Sequence, residues 1–246
     1  QIRMMKLILP ILLLSASLCS AANRYVRAGA TGAGTGTDWT DAYSALPTTL
    51  VRGDTYYVAG GTYPGYSFTT AASGATLITV KKATTSDHGT ETGWVSSYGT
   101  SQAVFTGYFF IRRSNFVLDG QERNENDWFS GAAYGFKIQN TGGANWTHLW
   151  IQNNSTWNTN ITVKYLYVAA QVGRLPPNSG AEGPPNAITT ETGDNAIMNT
   201  GLVFSHMFVE GSCQSFFIRQ TRGCIVEYCA TDKTSGQTLA NGAGWH

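Results

Sequence analysis

The sequence predicts an all-β chain wound as a right-handed parallel β-helix, a single-stranded solenoid with a short capping helix at its N-terminal end. Three observations carry this expectation. The composition is strand-forming and weakly charged, with 28 glycines, 13% charged residues and abundant Thr, Asn, Ser, Val, Ile, Tyr and Phe in 246 residues, a mixture that favours extended backbone over helix. Strand-like segments recur: Tyr108-Phe-Phe-Ile-Arg112 followed by Ser114-Asn-Phe-Val-Leu-Asp119 resembles Ser215-Phe-Phe-Ile-Arg219 followed by Arg222-Gly-Cys-Ile-Val-Glu227. Finally, Val203 to Gly211 lies over Ile225 to Lys233 without gaps at an offset of about 22 residues, inside the range of periods that marks solenoids.

The first segment reads as an export signal. Gln1 to Arg3 precede Met4 and Met5; Lys6 then leads the apolar run Leu7 to Leu14, and small residues fill Ser15 to Ala22. That apolar core is too short to span a bilayer, and a signal peptidase would cut after Ala21 or Ala22. A lipid-anchored alternative at Cys19 is disfavoured by the bulky Leu18 before it. Residues 1–22 are therefore set apart, and 23–246 form one β domain, a cap over about 23–62 and coils over 63–246, secreted or periplasmic.

Within the cap, Tyr25 and Val26 are expected to be extended, Gly29 to Gly36 to form a glycine-rich loop, and Asp38 to Leu46 to make two helical turns. An Asp ahead of Ala42, Tyr43, Ala45 and Leu46 is what a capped amphipathic turn requires. Gly53 and Asp54 turn the chain into a strand at Thr55 to Ala59. A short helix there would cover the open end of a solenoid, whose first rung otherwise exposes apolar side chains and unpaired backbone.

Later coils are read from the repeats. A looser copy spans Gly135 to Gln139 and then Leu149 to Gln152, and Val163 to Val168 joins the final column at a larger offset. The excess is a loop containing 173–186, too rich in Pro and Gly for a central strand. On this alignment Val168, Phe208 and Ala230 stack inward, as do Val163, Val203 and Ile225. The Asn-rich run Gln152 to Asn160 suits an amide ladder at a corner. A β-sandwich would show hairpin signals such as Asn-Gly between alternating strands, yet that pair occurs only at Asn241 and Gly242. A propeller would want four strands in about 40 residues. The chain stops at Gly244, Trp245 and His246 with no capping element, which predicts a solenoid truncated at this end.

The stretch Arg24-Tyr-Val-Arg27, the glycine loop, Asp38-Trp-Thr-Asp-Ala-Tyr43 and Gly53-Asp-Thr-Tyr-Tyr-Val-Ala-Gly-Gly-Thr-Tyr63 resembles the opening of the pectate-lyase-like, right-handed β-helix proteins secreted by bacteria. The resemblance implies a cap and first rung here, and a polysaccharide bound along the outer groove of the coils. It spans lyases, glycoside hydrolases, epimerases and adhesins, so it specifies fold better than reaction.

A lyase acting on a uronic acid must neutralise a carboxylate and supply a base, so candidates are basic residues and carboxylates brought together by stacking. Glu210 over Asp232 is the candidate Ca2+ pair, with Lys233 following directly. The same pair could serve as acid and base in a hydrolase, or be plain solvent-facing charge. Arg112, Gln139 and Arg219 are placed in one column with Arg113, Lys137 and Arg222 nearby, a set shaped to grip carboxylates or else to guard a sheet edge. His246 would stand on the next coil, near Glu210 and Asp232; His206 reads as a packed or surface residue of its rung. The expected catalytic set is thus His246, Arg219 and Lys233, with Arg112, Lys137, Arg222 and Trp150 binding substrate. Trp128, Trp146 and Trp157 are further aromatics able to stack on sugar rings.

The same composition removes other classes. A net charge of +1 offers no basic field for nucleic acid, no segment is long enough to span a membrane, and the spacing of Cys213, Cys224 and Cys229 suggests neither a zinc site nor a complete disulfide set. The chain is expected to act as a monomer on polysaccharide, as a lyase first, with a glycoside hydrolase and a non-catalytic glycan-binding protein as the rivals.

Overall fold

The computed structural model describes residues 21–139, 147–153, 156–170, 186–192, 197–212 and 214–232. The signal segment, Trp146, Cys213, most of the Pro- and Gly-rich segment, Lys233, the Asn241–Gly242 pair and His246 lie outside the described residues.

The strands are β1 (Asn23–Val26), β2 (Thr55–Val58), β3 (Gly61–Phe68), β4 (Ile78–Lys82), β5 (Ala103–Ile111) and β6 (Phe116–Asp119). They continue as β7 (Phe136–Gln139), β8 (Thr147–Gln152), β9 (Thr159–Lys164), β10 (Leu166–Ala169), β11 (Asn186–Glu191) and β12 (Asn199–Ser205). The last are β13 (Phe208–Glu210), β14 (Gln214–Ile218), β15 (Thr221–Arg222), β16 (Ile225–Glu227) and β17 (Ala230–Asp232). One helical turn, Ser97–Thr100, and one 3-10 turn, Gly131–Ala133, complete the described regular structure.

Among the described residues every strand pairing is parallel, and the chain visits three ladders in rotation. The first ladder runs β1-β2-β4-β6-β9-β12 and ends on β15 and β16. The second joins the front halves of β3 and β5 to β7, β10, β13 and β17; the third joins their back halves to β8, β11 and β14. A register shift between Pro64 and Tyr66 bends β3 from the second ladder into the third. Parallel strands buried on the inner face read as apolar columns, because each pleat sends alternate side chains to one side.

Those columns fill the core. Tyr56, Val80, Leu118, Val163 and Phe204 are in register on the first ladder. Tyr63, Phe105, Ile138, Val168 and Val209 align on the second, and Phe109, Leu149, Ile188 and Phe216 on the third. All belong to one buried apolar cluster. Each fully buried aliphatic or aromatic side chain contributes about 1.5–3 kcal/mol.

Two expectations about these columns are corrected. Val168 pairs with Val209 rather than Phe208, and Val163 with Phe204 rather than Val203. A slip of one residue moves a side chain to the opposite face. Phe208 and Ala230 accordingly face outward, buried with Tyr134 and Tyr167 in a separate cluster, while Ile225 is 50% exposed. The offset of 22 residues between the final turns does hold, from Thr200 over Arg222 to Glu210 over Asp232.

The capping helix is also corrected. Residues 38–46 form bends, with Tyr43 bridged in parallel to Val26. Asp38 does accept a bond from the Asp41 amide at 2.9 Å, as a cap would. Trp39 and Ala42, however, are drawn into an aromatic cluster with Tyr25, Tyr57, Trp94 and Tyr98 on the outside of the first ladder. Two helical turns supply too few hydrogen bonds to outweigh burying an indole there.

Candidate functional site

Two corners flank the first ladder, and they differ in kind. At the corner before it, Asn115, Asn160, Gly201 and Gly223 take left-handed backbone at φ 65, 56, 61 and 65° on successive turns. Asn and Gly tolerate that conformation. The Asn160 amide also donates to Asn115 Oδ1 at 3.0 Å, a single amide contact rather than a ladder of the run Gln152 to Asn160. At the corner after the ladder the equivalent positions are Tyr165, His206 and Tyr228, at φ 55, 54 and 53°. A bulky side chain there costs of order 1–2 kcal/mol, and such outliers concentrate at functional sites.

These three rings stack along the corner, Tyr165 to His206 at 4.7 Å and His206 to Tyr228 at 4.9 Å between centroids. Beside them runs a polar column. Tyr57, Lys81, Asp119, Lys164, Ser205 and Glu227 are in register on the outer face of the first ladder. Lys164 bridges to Asp119 at 3.1 Å, and Ser205 Oγ donates to Glu227 Oε1 at 3.2 Å. Ionisable groups of one face thus cross several adjacent strands.

The segment between β6 and β7 completes the site by running along the stack. The Arg123 side chain has no exposed surface and grips Glu125 with two bonds of 2.9 and 2.8 Å. It donates as well to the Tyr228 carbonyl, 105 residues further on, and lies 3.8 Å from the Trp128 ring. That pairing holds the Glu125 carboxyl below the usual carboxylate range. Tyr134 donates to the Trp128 carbonyl at 2.8 Å and packs with Tyr167 and Phe208.

Burial, and next the Arg123 guanidinium, hold the His206 imidazole below its ordinary value, while Glu125 and Glu227 pull the other way. His206 Nδ1 lies 2.6 Å from Ser205 Oγ. A serine hydroxyl has one proton, so both bonds are made together when Ser205 donates to Glu227 and Nδ1 donates to Ser205. Nε2 is then left with its lone pair, in a neutral ring beside a lysine. That is the state a general base requires.

The sequence-predicted residues are spread over all three ladders. Glu210 and Asp232 are in register on neighbouring strands of the second, as expected, and Tyr167 donates to Glu210. Burial, then Glu210, push the Tyr167 hydroxyl up. Ca2+ takes six to eight oxygens, and among the described residues no three His, Cys, Asp or Glu side chains converge. Lys137 stands in the adjacent column with its ammonium 5.2 Å from the Tyr167 ring.

Arg112 and Arg219 follow aligned residues at the end of the third ladder, where they lie over Phe110 and Phe217 at 3.9 and 5.4 Å. Gln139 is not with them: it pairs with Thr106 and Ala169, in the column of Glu210. Trp150 is stacked on Phe110 at 4.9 Å on the third ladder, and Arg222 is exposed opposite Thr200 on the first. Arg219 is therefore not brought to Glu210 and Asp232, because the two groups belong to different ladders. Cys224 and Cys229 carry free thiols.

Comparison of the chain with family models, curated proteins and solved structures returns no match. The site thus rests on its own geometry. Sequence reading missed Asp119, Arg123, Glu125, Lys164 and Tyr228; a signal was present in Asp119 and Glu227, which end the two repeated segments and do share a column.

Proposed function

We propose that the chain is an exported right-handed parallel β-helix protein that takes a polysaccharide at the Tyr165–His206–Tyr228 corner and cleaves it by β-elimination. The observation that carries this reading is the His206 ring with Nδ1 2.6 Å from Ser205 Oγ, which reaches Glu227 at 3.2 Å, beside Lys164 of the adjacent strand, a setting that favours the neutral imidazole. Nε2 takes the proton alpha to the uronate carboxylate. The electron pair forms the new carbon–carbon double bond, the bond to the glycosidic oxygen breaks, and that oxygen leaves with a proton from water. Lys164 faces the charge that develops on the carboxylate, and the exposed Tyr228 ring, with the half-buried Tyr165 beyond His206, offers flat apolar surface to the sugars.

A second reading, glycan binding without turnover, is favoured by one observation: the two cations near His206 already hold carboxylates, Lys164 with Asp119 and Arg123 with Glu125. The test follows ultraviolet absorbance of the unsaturated product on uronate polymers, with binding measured in parallel. Product from the native chain, lost in His206→Gln, supports the lyase. Binding without product selects the second reading, and no binding to any polymer removes polysaccharide as the ligand.

A further inference from the structure

The geometry points to a second sugar position, for a neutral, hydroxyl-rich residue of the same polymer, in a cleft at the N-terminal end of the first ladder. This rests on the polysaccharide reading and narrows its substrate to a mixed polymer of uronate and neutral sugars.

The cleft, of about 360 Å3, is lined by Asn23, Tyr57, Ser86, Asp87, His88 and Glu91 among others. It opens on the same outer column as the corner, because Tyr57 is in register with Lys81, and Lys81 with Asp119. Contacts connect the two places: Lys81 pairs with Asp87, Gln121 donates its side-chain amide to the Asp87 carbonyl at 3.4 Å and its backbone N–H to Asp119 at 2.8 Å, and Asp119 pairs with Lys164. Four strand steps separate Tyr57 from Ser205 along the ladder, roughly 19 Å at about 4.8 Å each. A polymer lying along the ladder covers that distance with several sugar residues.

The lining chooses the sugar. Asp87 and Glu91 are acceptors, and the nearest ammonium, Lys81, is already held by Asp87 with Tyr57 beneath it at 5.7 Å. A uronate entering here meets two carboxylates, and the basic groups beside them, Lys81 and His88, are already held by Asp87 and Glu91. A neutral sugar meets acceptors for its hydroxyl protons, and donors in the Asn23 amide, which also bonds Tyr25, and the Ser86 hydroxyl, which lies 3.2 Å from Thr84 Oγ1. One wall is fixed: the His88 ring lies flat on Trp94 at 4.0 Å and bonds both the Thr84 carbonyl, at 3.2 Å, and Glu91, at 2.9 Å.

The test is calorimetric titration with two hexasaccharides, one alternating glucuronate with N-acetylglucosamine, the other all galacturonate. The native chain should bind the alternating one about tenfold more tightly. Ser86→Tyr, at an exposed position that fills the cleft, should bring the alternating hexasaccharide down to the level of hexagalacturonate, and Glu91→Gln should reduce the difference without filling space. Equal binding by the native chain, or tighter binding of hexagalacturonate, overturns the neutral position and leaves the polysaccharide reading intact. Failure of both to bind overturns this inference, and failure of every uronate polymer to bind overturns the polysaccharide reading as well.

Discussion

Ser205 Oγ lies 2.6 Å from Nδ1 of His206 and donates its proton to Glu227 on the next strand. The relay fixes which nitrogen of the imidazole is free. Ser205→Ala should therefore slow β-elimination by about tenfold or more while glycan affinity holds, and His206→Gln by about 10²–10⁴-fold. Because burial and Arg123 depress the imidazole, the acid limb of kcat/KM should fall below 6.5, the ordinary histidine value. An acid limb at or above that value would remove His206 as the base.

Arg123 is the residue that ties the β6–β7 segment to the corner, through the Tyr228 carbonyl and the face of Trp128. Removing it leaves a carbonyl without its donor and an indole without its cap. Arg123→Ala is expected to cost about 2 kcal/mol in denaturant unfolding. Trp128 fluorescence should shift to the red in the folded variant, as the indole gains solvent. An unchanged spectrum with unchanged stability would mean that the segment is held by Tyr134 and Phe208 alone.

The parts of this arrangement that sequence could supply are those free of insertions. The last two turns keep a constant offset, so Val203 over Ile225 and Glu210 over Asp232 were legible. The paired Phe-Phe-Ile segments also occupy one column, Phe109 in line with Phe216. Earlier turns vary: Asn115 and Asn160 are 45 residues apart, Asn158 and Asn199 are 41. Inserted loops of unequal length let the alignment slip by one, which put Phe208 and Val203 on the wrong face. The corner was hidden for a related reason, since Arg123 and Tyr228 meet only through the stacking of turns.

His148 is buried with no partner for either ring nitrogen. Burial pushes its pKa from 6.5 down to about 4. Between those values the unfolded chain binds a proton that the folded chain does not. The stability associated with the neutral ring is thus complete above 6.5 and declines as pH falls, reaching a loss of about 3 kcal/mol near pH 4. His148→Phe should flatten that part of the pH dependence. Denaturant midpoints for both chains across this range would show it, and parallel curves would place the titrating group elsewhere.

Tyr228 is 58% exposed and holds left-handed backbone, a combination that its own fold does not require. At the opposite corner the same backbone is made with Asn and Gly. Tyr228→Asn relieves strain of order 1–2 kcal/mol and gives up ring contacts to His206 and Trp128 worth about 0.5–1.5 kcal/mol each. The terms nearly cancel, so stability should change by no more than about 1 kcal/mol. Glycan affinity should nonetheless drop, because the outermost ring of the corner is lost. If affinity holds while stability falls by several kcal/mol, the aromatic column is a structural support and the sugar binds elsewhere.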